Sequence, residues 1–387
     1  MNRKIKIELA SAYSCTGCAA CVSVCPTGSI SMKEDREGFL QPHIDTKTCI
    51  GCHKCEKTCP ILNPIEIPTD FETQAYAAIN KDEDVRMRSS SGGMFHALAK
   101  WTIEQGGVVF GARFNDQWEV VHDYTETIEG IEPFMRSKYV QSRIGDTFKQ
   151  AKQFLDQGRW VLYSGTPCQI GGLKAYLKKD YEKLLAVDLI CHGVPSPGVW
   201  RAYLKEAIKN DTLLDFNFRD KKDGWKEFQY VTTTTTTTTR REQQMANVFF
   251  RGFLKNIYLR ESCYQCAFKT VHRSADITLA DFWGVQDVYP QIDDNKGTSL
   301  VFCHSSIGLR VMQTLAPLFS MCIQPIDDAI AHNISMVESV VMPSRRRDWF
   351  RIFRLTHSFR FAARFIDKDR LSKRLVRKIM SIMHLKR

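Results

Sequence analysis

Residues 15–26 read CTGCAACVSVCP and residues 49–60 read CIGCHKCEKTCP. Each is a complete C-x2-C-x2-C-x3-C-P run, the spacing at which thiolates wrap a 4Fe–4S cube. Three close cysteines hold three irons of one cluster, and the fourth, set off by three residues and a proline, reaches across to the other. The expected sets are Cys15, Cys18, Cys21 and Cys59 on one cluster, and Cys49, Cys52, Cys55 and Cys25 on the other. A single C-x2-C also suits zinc or a redox dithiol; two complete copies point to iron and to electron transfer.

Working outward, the two runs bracket SISMKED and GFLQPHID, which read as a hairpin turning near Arg36, Glu37 and Gly38. A two-cluster bacterial-ferredoxin-like module is therefore expected over residues 1–62. Pro64 and Pro68 mark a stiff linker over residues 63–72. More than 300 of the 387 residues remain, enough for one large domain or two ordinary ones. The N-terminus shows no apolar leader pattern, and no run of about 18 apolar residues spans a membrane. The expected location is cytoplasmic, where cysteines serve as metal ligands or catalytic groups rather than disulfides.

The net charge of +11 is concentrated at one end. Residues 345–387 carry a balance of +12, and the rest of the chain −1. Phe350, Phe353, Phe361, Phe365, Leu371, Leu375, Ile379 and Ile382 recur among the arginines and lysines at mostly helical spacing. Residues 343–387 are thus expected to be a basic amphipathic helical tail. It either lies peripherally on the inner membrane surface or a partner, or packs on its own domain. No recognition motif accompanies the charge, so nucleic-acid binding is not expected.

From Gln74 to residue 342 short apolar strands alternate with helical patterns. AYAAIN, GGVVFGARF, RWVLYSG and LLAVDLI read as strands, MFHALAKWTIEQ and QIGGLKAYLKK as helices. The fold class is α+β: the ferredoxin-like module followed by a mixed α/β domain with a partly parallel sheet. Eight threonines, Thr232–Thr239, favour an extended strand at a solvent edge.

A second set of cysteines lies at loop ends in this domain: Cys168 in SGTPCQ, Cys191 in DLICHGVPSP, and Cys263 and Cys266 in SCYQCAFK. Four thiolates are what a third 4Fe–4S cube requires. The alternative is that Cys168 and Cys191 are small buried hydrophobes. Cys303 and Cys322, in apolar runs, read as core residues. His192, beside Cys191, is either a proton donor or a structural hydrogen-bonder. Clusters pass single electrons, whereas most organic reductions need two; a flavin joins the two regimes. Ser89, Ser90, Ser91, Gly92 and Gly93, opening a helix, form a candidate phosphate cradle. Arg136, Lys138 and Tyr139 could neutralise a pyrophosphate or stack on a ring. Asp281, Phe282 and Trp283 end the DITLADFWG strand, where the aromatics could cover a flavin or fill the core.

RSSSGG, SKYVQS, SGTPCQ, CHGVPSP, C-x2-C-x-FK and ADITLADFWG, in this order, resemble the beta-subunit family of coenzyme F-420 hydrogenases and dehydrogenases. The resemblance implies FAD and a 4Fe–4S cluster within one domain, residues 73–342, with Cys168, Cys191, Cys263 and Cys266 as ligands. It places FAD near Ser89–Gly93, near Lys138, Tyr139, Gln141 and Ser142, and near Asp281–Trp283. The expected activity is an iron–sulfur flavoprotein oxidoreductase, taking electrons from reduced ferredoxin or a redox partner subunit and acting on a small organic molecule. The alternative is a non-catalytic electron-transfer subunit of a larger complex. His192 and Lys269 are the candidates for proton supply.

Overall fold

The computed structural model describes residues 7–67, 70–236 and 239–367. The two cysteine runs flank an antiparallel hairpin of β1 (Ile30–Glu34) and β2 (Leu40–Ile44). Asp35 shapes its turn, accepting from the backbone N–H groups of Glu37 and Phe39. Each run opens a single helical turn, Ala20–Ser23 or Lys54–Lys57. The residue before each turn, Ala19 or His53, is left-handed at φ 60° or 56°. Sequence duplication has become structural duplication.

The remaining strands are β3 (Gln74–Asn80), β4 (Val108–Phe114), β5 (Val120–Thr125), β6 (Val161–Ser164), β7 (Leu184–Leu189), β8 (Leu213–Asp220), β9 (Gln229–Thr234), β10 (Arg240–Gln243), β11 (Ile277–Asp281), β12 (Ser299–Cys303) and β13 (Phe319–Gln324). Eight form one mixed sheet in the order β13-β3-β12-β11-β7-β6-β4-β5. Its centre, β11-β7-β6-β4, is parallel, and its flanks are antiparallel. Covered faces explain why β6 and β7 read as continuous apolar runs, with Val161, Leu162, Tyr163, Leu184, Leu185, Ala186 and Val187 buried. Cys303 is buried in this core.

The ferredoxin-like module is seated on one face of the sheet. Cys18, Ala19 and Ala20 pack with Phe148, Ile170 and Leu173. Gly172 permits the approach, because a Cβ there would lie 2.9 Å from the Cys18 sulfur.

The second sheet, in the order β10-β9-β8, carries an aromatic cluster around Trp200, Phe216, Phe218, Tyr230, Phe249 and Tyr258. Thr232–Thr234 belong to β9, which is its middle strand and not an edge. Thr232 pairs with both neighbours, Thr233 and Thr234 pair with β8, and Thr234 is buried, in place of the expected solvent edge. Thr237 and Thr238 lie outside the described residues.

Trp349, Phe350, Ile352, Phe359 and Ile366, from helices Arg346–Thr356 and Phe359–Ala363 and the turn that follows, are buried in the same aromatic cluster. This part of the basic tail packs on its own domain; Leu371, Leu375, Ile379 and Ile382 lie outside the described residues. Among the described residues no helix is long and apolar enough to cross a membrane.

Candidate functional site

The N-terminal cysteines are graded in exposure. Cys18 is buried against the sheet domain, whereas Cys52 is exposed and Ile50 beside it is 63% exposed. Burial pushes the Cys18 thiol up to about 11, and it also feels Cys15 and Cys59. Cys21 is pushed up for the same reason, with Cys18, Cys15, Cys59 and Cys55 adding repulsion. Cys55 is raised chiefly by burial and feels Cys25. The fourth cysteine of each run therefore lies within electrostatic reach of the other run's cysteines. Thiols gathered out of water are hard to ionise alone; bound iron takes the place of their protons.

Cys168, Cys191, Cys263 and Cys266 line one small cavity with Thr16, His192, Arg260 and Lys269. Cys168 enters at the start of helix Pro167–Leu177, whose capping box joins Thr166 and Gln169. Cys191 follows β7 by two residues. Cys263 sits in the short helix Glu261–Gln265, with Cys266 just past its end. Burial pushes Cys191 up to about 11, Cys263 to about 12 and Cys168 well above the ordinary thiol range. Cys168 also feels the other three thiols. Among the described residues no group of three His, Cys, Asp or Glu is placed to hold a single metal ion. Four thiols around one cavity suit the wider span of a multi-iron cube.

A larger cavity, of about 580 Å³, opens beside it. Of the residues expected there, Ser89, Ser90, Ser91, Gly93, Lys138, Tyr139, Ser142, Asp281 and Trp283 line it. Three others do not. Gly92 packs on the sheet, where a Cβ would meet the Ala78 carbonyl oxygen at 2.3 Å and the Ser299 nitrogen at 2.5 Å. Gln141 donates to the Thr16 carbonyl and accepts from Arg260. Phe282 is fully buried in a core cluster with Ala75, Ala77 and Leu300.

Several lining groups are already engaged. Lys138 donates Nζ to the carbonyls of Pro133, Met135 and Arg136, and burial lowers its amine to about 7. Asp281 pairs with Arg219 and accepts from the Trp225 indole. Arg219 also stacks over Phe228, at 4.2 Å from the ring centre. His192 shares a hydrogen bond with Asn256 Oδ1 (2.7 Å), and burial lowers its imidazole. Lys269 donates to the carbonyls of Cys191 and Ser335. Both proton-supply candidates thus have structural partners; His192 lines both cavities, and Lys269 only the smaller.

The pattern of residues gave no sign of four further groups. Buried Lys221 donates to the carbonyls of Arg86, Ser91 and Lys296, pinning the serine–glycine loop. Arg86, in the helix Glu83–Arg88 that precedes the loop, is tied to Asp294 and the Gly297 carbonyl. His122, buried in the cavity wall, donates Nε2 to the Ser164 carbonyl and leaves Nδ1 without a partner among the described residues. Burial pushes its imidazole down to about 4, so it is neutral at ordinary pH. Arg260 bonds across to the N-terminal module. Lone basic residues and a histidine within alternating strands carry no spacing signal.

The two cavities meet. Cys191, His192, Gly193 and Val194 line both.

Comparison with known proteins matches the same two regions. Residues 158–328 match the coenzyme F420 hydrogenase/dehydrogenase family, at the C terminus of its beta subunit, and residues 14–62 match the 4Fe-4S dicluster domain. An F(420)H(2) dehydrogenase subunit of Methanosarcina mazei is 24% identical over 212 residues, 52% of this chain and 56% of that protein. The thiosulfate reductase electron transfer subunit of Salmonella typhi is 46% identical over 57 residues, 13% of this chain and 28% of that protein. The chain thus spans about half or less of these curated relatives. A solved F420-reducing NiFe hydrogenase complex from Methanosarcina barkeri aligns over 70% of this chain and 93% of its own, at 16% identity and TM-score 0.46. The chain joins a 4Fe–4S dicluster domain to a C-terminal domain of the hydrogenase/dehydrogenase beta-subunit type, and is related to oxidoreductase subunits.

Proposed function

We propose that this chain is an iron–sulfur flavoprotein oxidoreductase that conducts electrons between a redox partner at its N-terminal module and an organic substrate in the large cavity. The observation that carries the reading is the shared wall of residues 191–194, which sets a four-cysteine site against a cofactor-sized cavity.

In this reading Cys49, Cys52, Cys55 and Cys25 hold the outer cluster, and Cys15, Cys18, Cys21 and Cys59 the inner one. Cys168, Cys191, Cys263 and Cys266 hold a third beneath the cavity wall. The fit rests on the donor sets: thiols gathered in groups, and Thr16 of the inner loop lining the third site's cavity. FAD fits the larger cavity by size and chemistry. Ser89–Ser91 and Gly93 lie at the start of helix Met94–Glu104, where free N–H groups favour phosphate. Trp283, packed against Trp225 with ring centres 4.4 Å apart, offers a flat apolar wall. When bound, these groups supply one-electron transfer and its conversion to two-electron chemistry.

The chain's own residues divide the remaining work. Lys221 holds the loop backbone at Ser91, and Arg86 ties down the helix before it. His122, neutral, holds the Ser164 carbonyl at the cavity wall. Exposed Tyr13, Ile50 and Leu62, all on the cysteine module, give a reduced ferredoxin or another redox partner an apolar footing.

Anaerobic reconstitution tests the metal sites, with about twelve irons expected for three cubes and about eight for the dicluster domain alone. FAD should copurify, and should be lost when Ser90 and Ser91 are replaced by tryptophan. Full FAD retention in that variant would refute the phosphate placement. A non-catalytic relay is excluded if the purified chain, reduced without partners, passes electrons to a deazaflavin, a nicotinamide or a sugar nucleotide.

A further inference from the structure

Five arginines are buried among the described residues: Arg86, Arg219, Arg260, Arg273 and Arg346. Four of them hold a carboxylate. Arg86 pairs with Asp294, Arg219 with Asp281, Arg273 with Asp188 and Arg346 with Glu37. Arg260, at 1% exposure, makes no ion pair among these residues. Its acceptors are all neutral oxygens: the Cys15 carbonyl (2.7 Å), the Leu40 carbonyl (3.1 Å), Gln141 Oε1 (3.0 Å) and Gln41 Oε1 (2.9 Å). Hydrogen bonds of this kind orient a cation without neutralising it, and a buried charge calls for a countercharge.

Its position shows what the countercharge is. The guanidinium lies under the turn between Cys15 and Cys18, where a Cβ on Gly17 would meet Nη1 at 2.9 Å. Arg260 also lines the small cavity with Cys168, Cys191, Cys263 and Cys266, and stands three residues before Cys263. On either side lie thiols of two different cysteine sets that can carry negative charge, while the Asp35 carboxylate is reached through the Gln41 amide. Gln141 braces the arrangement, bonding both Arg260 and the Thr16 carbonyl.

We propose that Arg260 is a shared positioning residue that supplies the buried countercharge for the inner N-terminal cluster and the third cluster together, holding the two at the junction of the domains. This rests on the assignment of the third cysteine set as a cluster site. Cluster potentials respond to local charge and hydrogen bonding. A fixed cation stabilises the more negative, reduced form, so Arg260 raises both potentials. The outer cluster, on Cys49, Cys52, Cys55 and Cys25, shares no contact with it. Lys269 is the contrasting cation: it donates to the Cys191 and Ser335 carbonyls and lines only the third site's cavity.

Redox titration of the full-length reconstituted protein, followed by electron paramagnetic resonance, reads this directly. Arg260→Gln should lower the inner and third potentials together, on the order of tenfold in each reduction equilibrium, or about 59 mV for a one-electron couple. The outer potential should stay in place. Lys269→Gln should lower the third potential alone. Arg260→Lys, which keeps the charge and loses the fork, should leave both potentials near those of the wild type. Unchanged potentials in Arg260→Gln, or an equal drop in all three, would overturn the proposal. If Arg260→Gln loads too little iron to titrate, Arg260→Lys decides: wild-type potentials support a charge role, and lowered potentials overturn it. Wild-type protein with eight irons would instead sink the third-site assignment; the inner potential should then still fall in Arg260→Gln.

Discussion

Replacing Arg273 with methionine should unseat the strand end that carries Cys191. Arg273 and Asp188 are 2% exposed each, with Nη1 donating to Oδ2 at 3.0 Å. Arg273 also donates to the carbonyls of Thr270, Leu189 and Met336, tying three segments to the end of β7. Without it, Asp188 keeps Thr278 as its remaining side-chain donor. Breaking one side of a buried pair costs about 3–5 kcal/mol, because the other charge stays out of water. Asp188→Asn should also be costly, since it leaves the buried Arg273 guanidinium with only neutral carbonyl acceptors.

The pH dependence has a definite sign. Burial already raises the Asp188 carboxyl in the folded protein, and Arg273 is the largest influence holding it down. A folded-state pKa above the unfolded value means that the folded protein binds the proton more tightly. Stability therefore falls as pH rises through the folded pKa, and the penalty is complete above it. Arg273→Met raises that pKa further, so its deficit against wild type should be widest near pH 8 and shrink toward about pH 5. Urea-unfolding midpoints at the two pH values measure this, and iron content should fall by about four atoms as the third site loosens. A deficit equal or larger at the lower pH would refute the reasoning.

Three further outcomes follow from the packing. Gly172→Val places a side chain against Cys18 and should cost about 1–3 kcal/mol by overpacking, seen as lower thermal stability and partial loss of iron. Lys221→Met leaves three buried carbonyls without their donor, about 1–3 kcal/mol of desolvation for such a group. Hydrogen exchange should quicken at Ser89–Gly93, and unchanged exchange there would show that the lysine does not set the loop. Deletion of residues 345–387 should give aggregated protein. It removes Trp349, Phe350, Ile352, Phe359 and Ile366 from the core, each contributing about 1.5–3 kcal/mol.

What could be read from the sequence was whatever has a fixed spacing. The duplicated cysteine runs, the apolar strands of a covered sheet and the serine–glycine loop before a helix are local patterns with local causes. Cys168, Cys191, Cys263 and Cys266 were legible as residues but ambiguous as a set, because loops far apart in the chain have to converge. The tail was ambiguous for a similar reason. Phe350, Phe353, Phe361 and Phe365 look alike on a helix bound for a membrane and on one bound for its own core; the aromatic cluster around Tyr258 that receives the described helices comes from distant strands. Thr232–Thr234 misled because β-branched hydroxyls suit exposed strands, yet a middle strand with a half-covered face accepts them equally.

Lys221, Arg86 and Arg260 were illegible for a deeper reason. A buried cation is recognised by where its partners end: for Lys221 these are all backbone carbonyls, which every residue has, and for Arg86 and Arg260 carbonyls joined by side chains far away in the sequence. Such groups are nonetheless where the two domains and the cofactor loop are joined. Gln141 makes the same point. Its segment, SKYVQS, suggested a ligand contact, but its side chain spans from the Thr16 carbonyl to Arg260. A polar residue in a cofactor motif can thus serve the joint between cluster sites instead of the cofactor. Substituting Gln141 with leucine should therefore disturb the inner and third sites and leave FAD content alone. Loss of FAD with intact iron would return Gln141 to the cofactor.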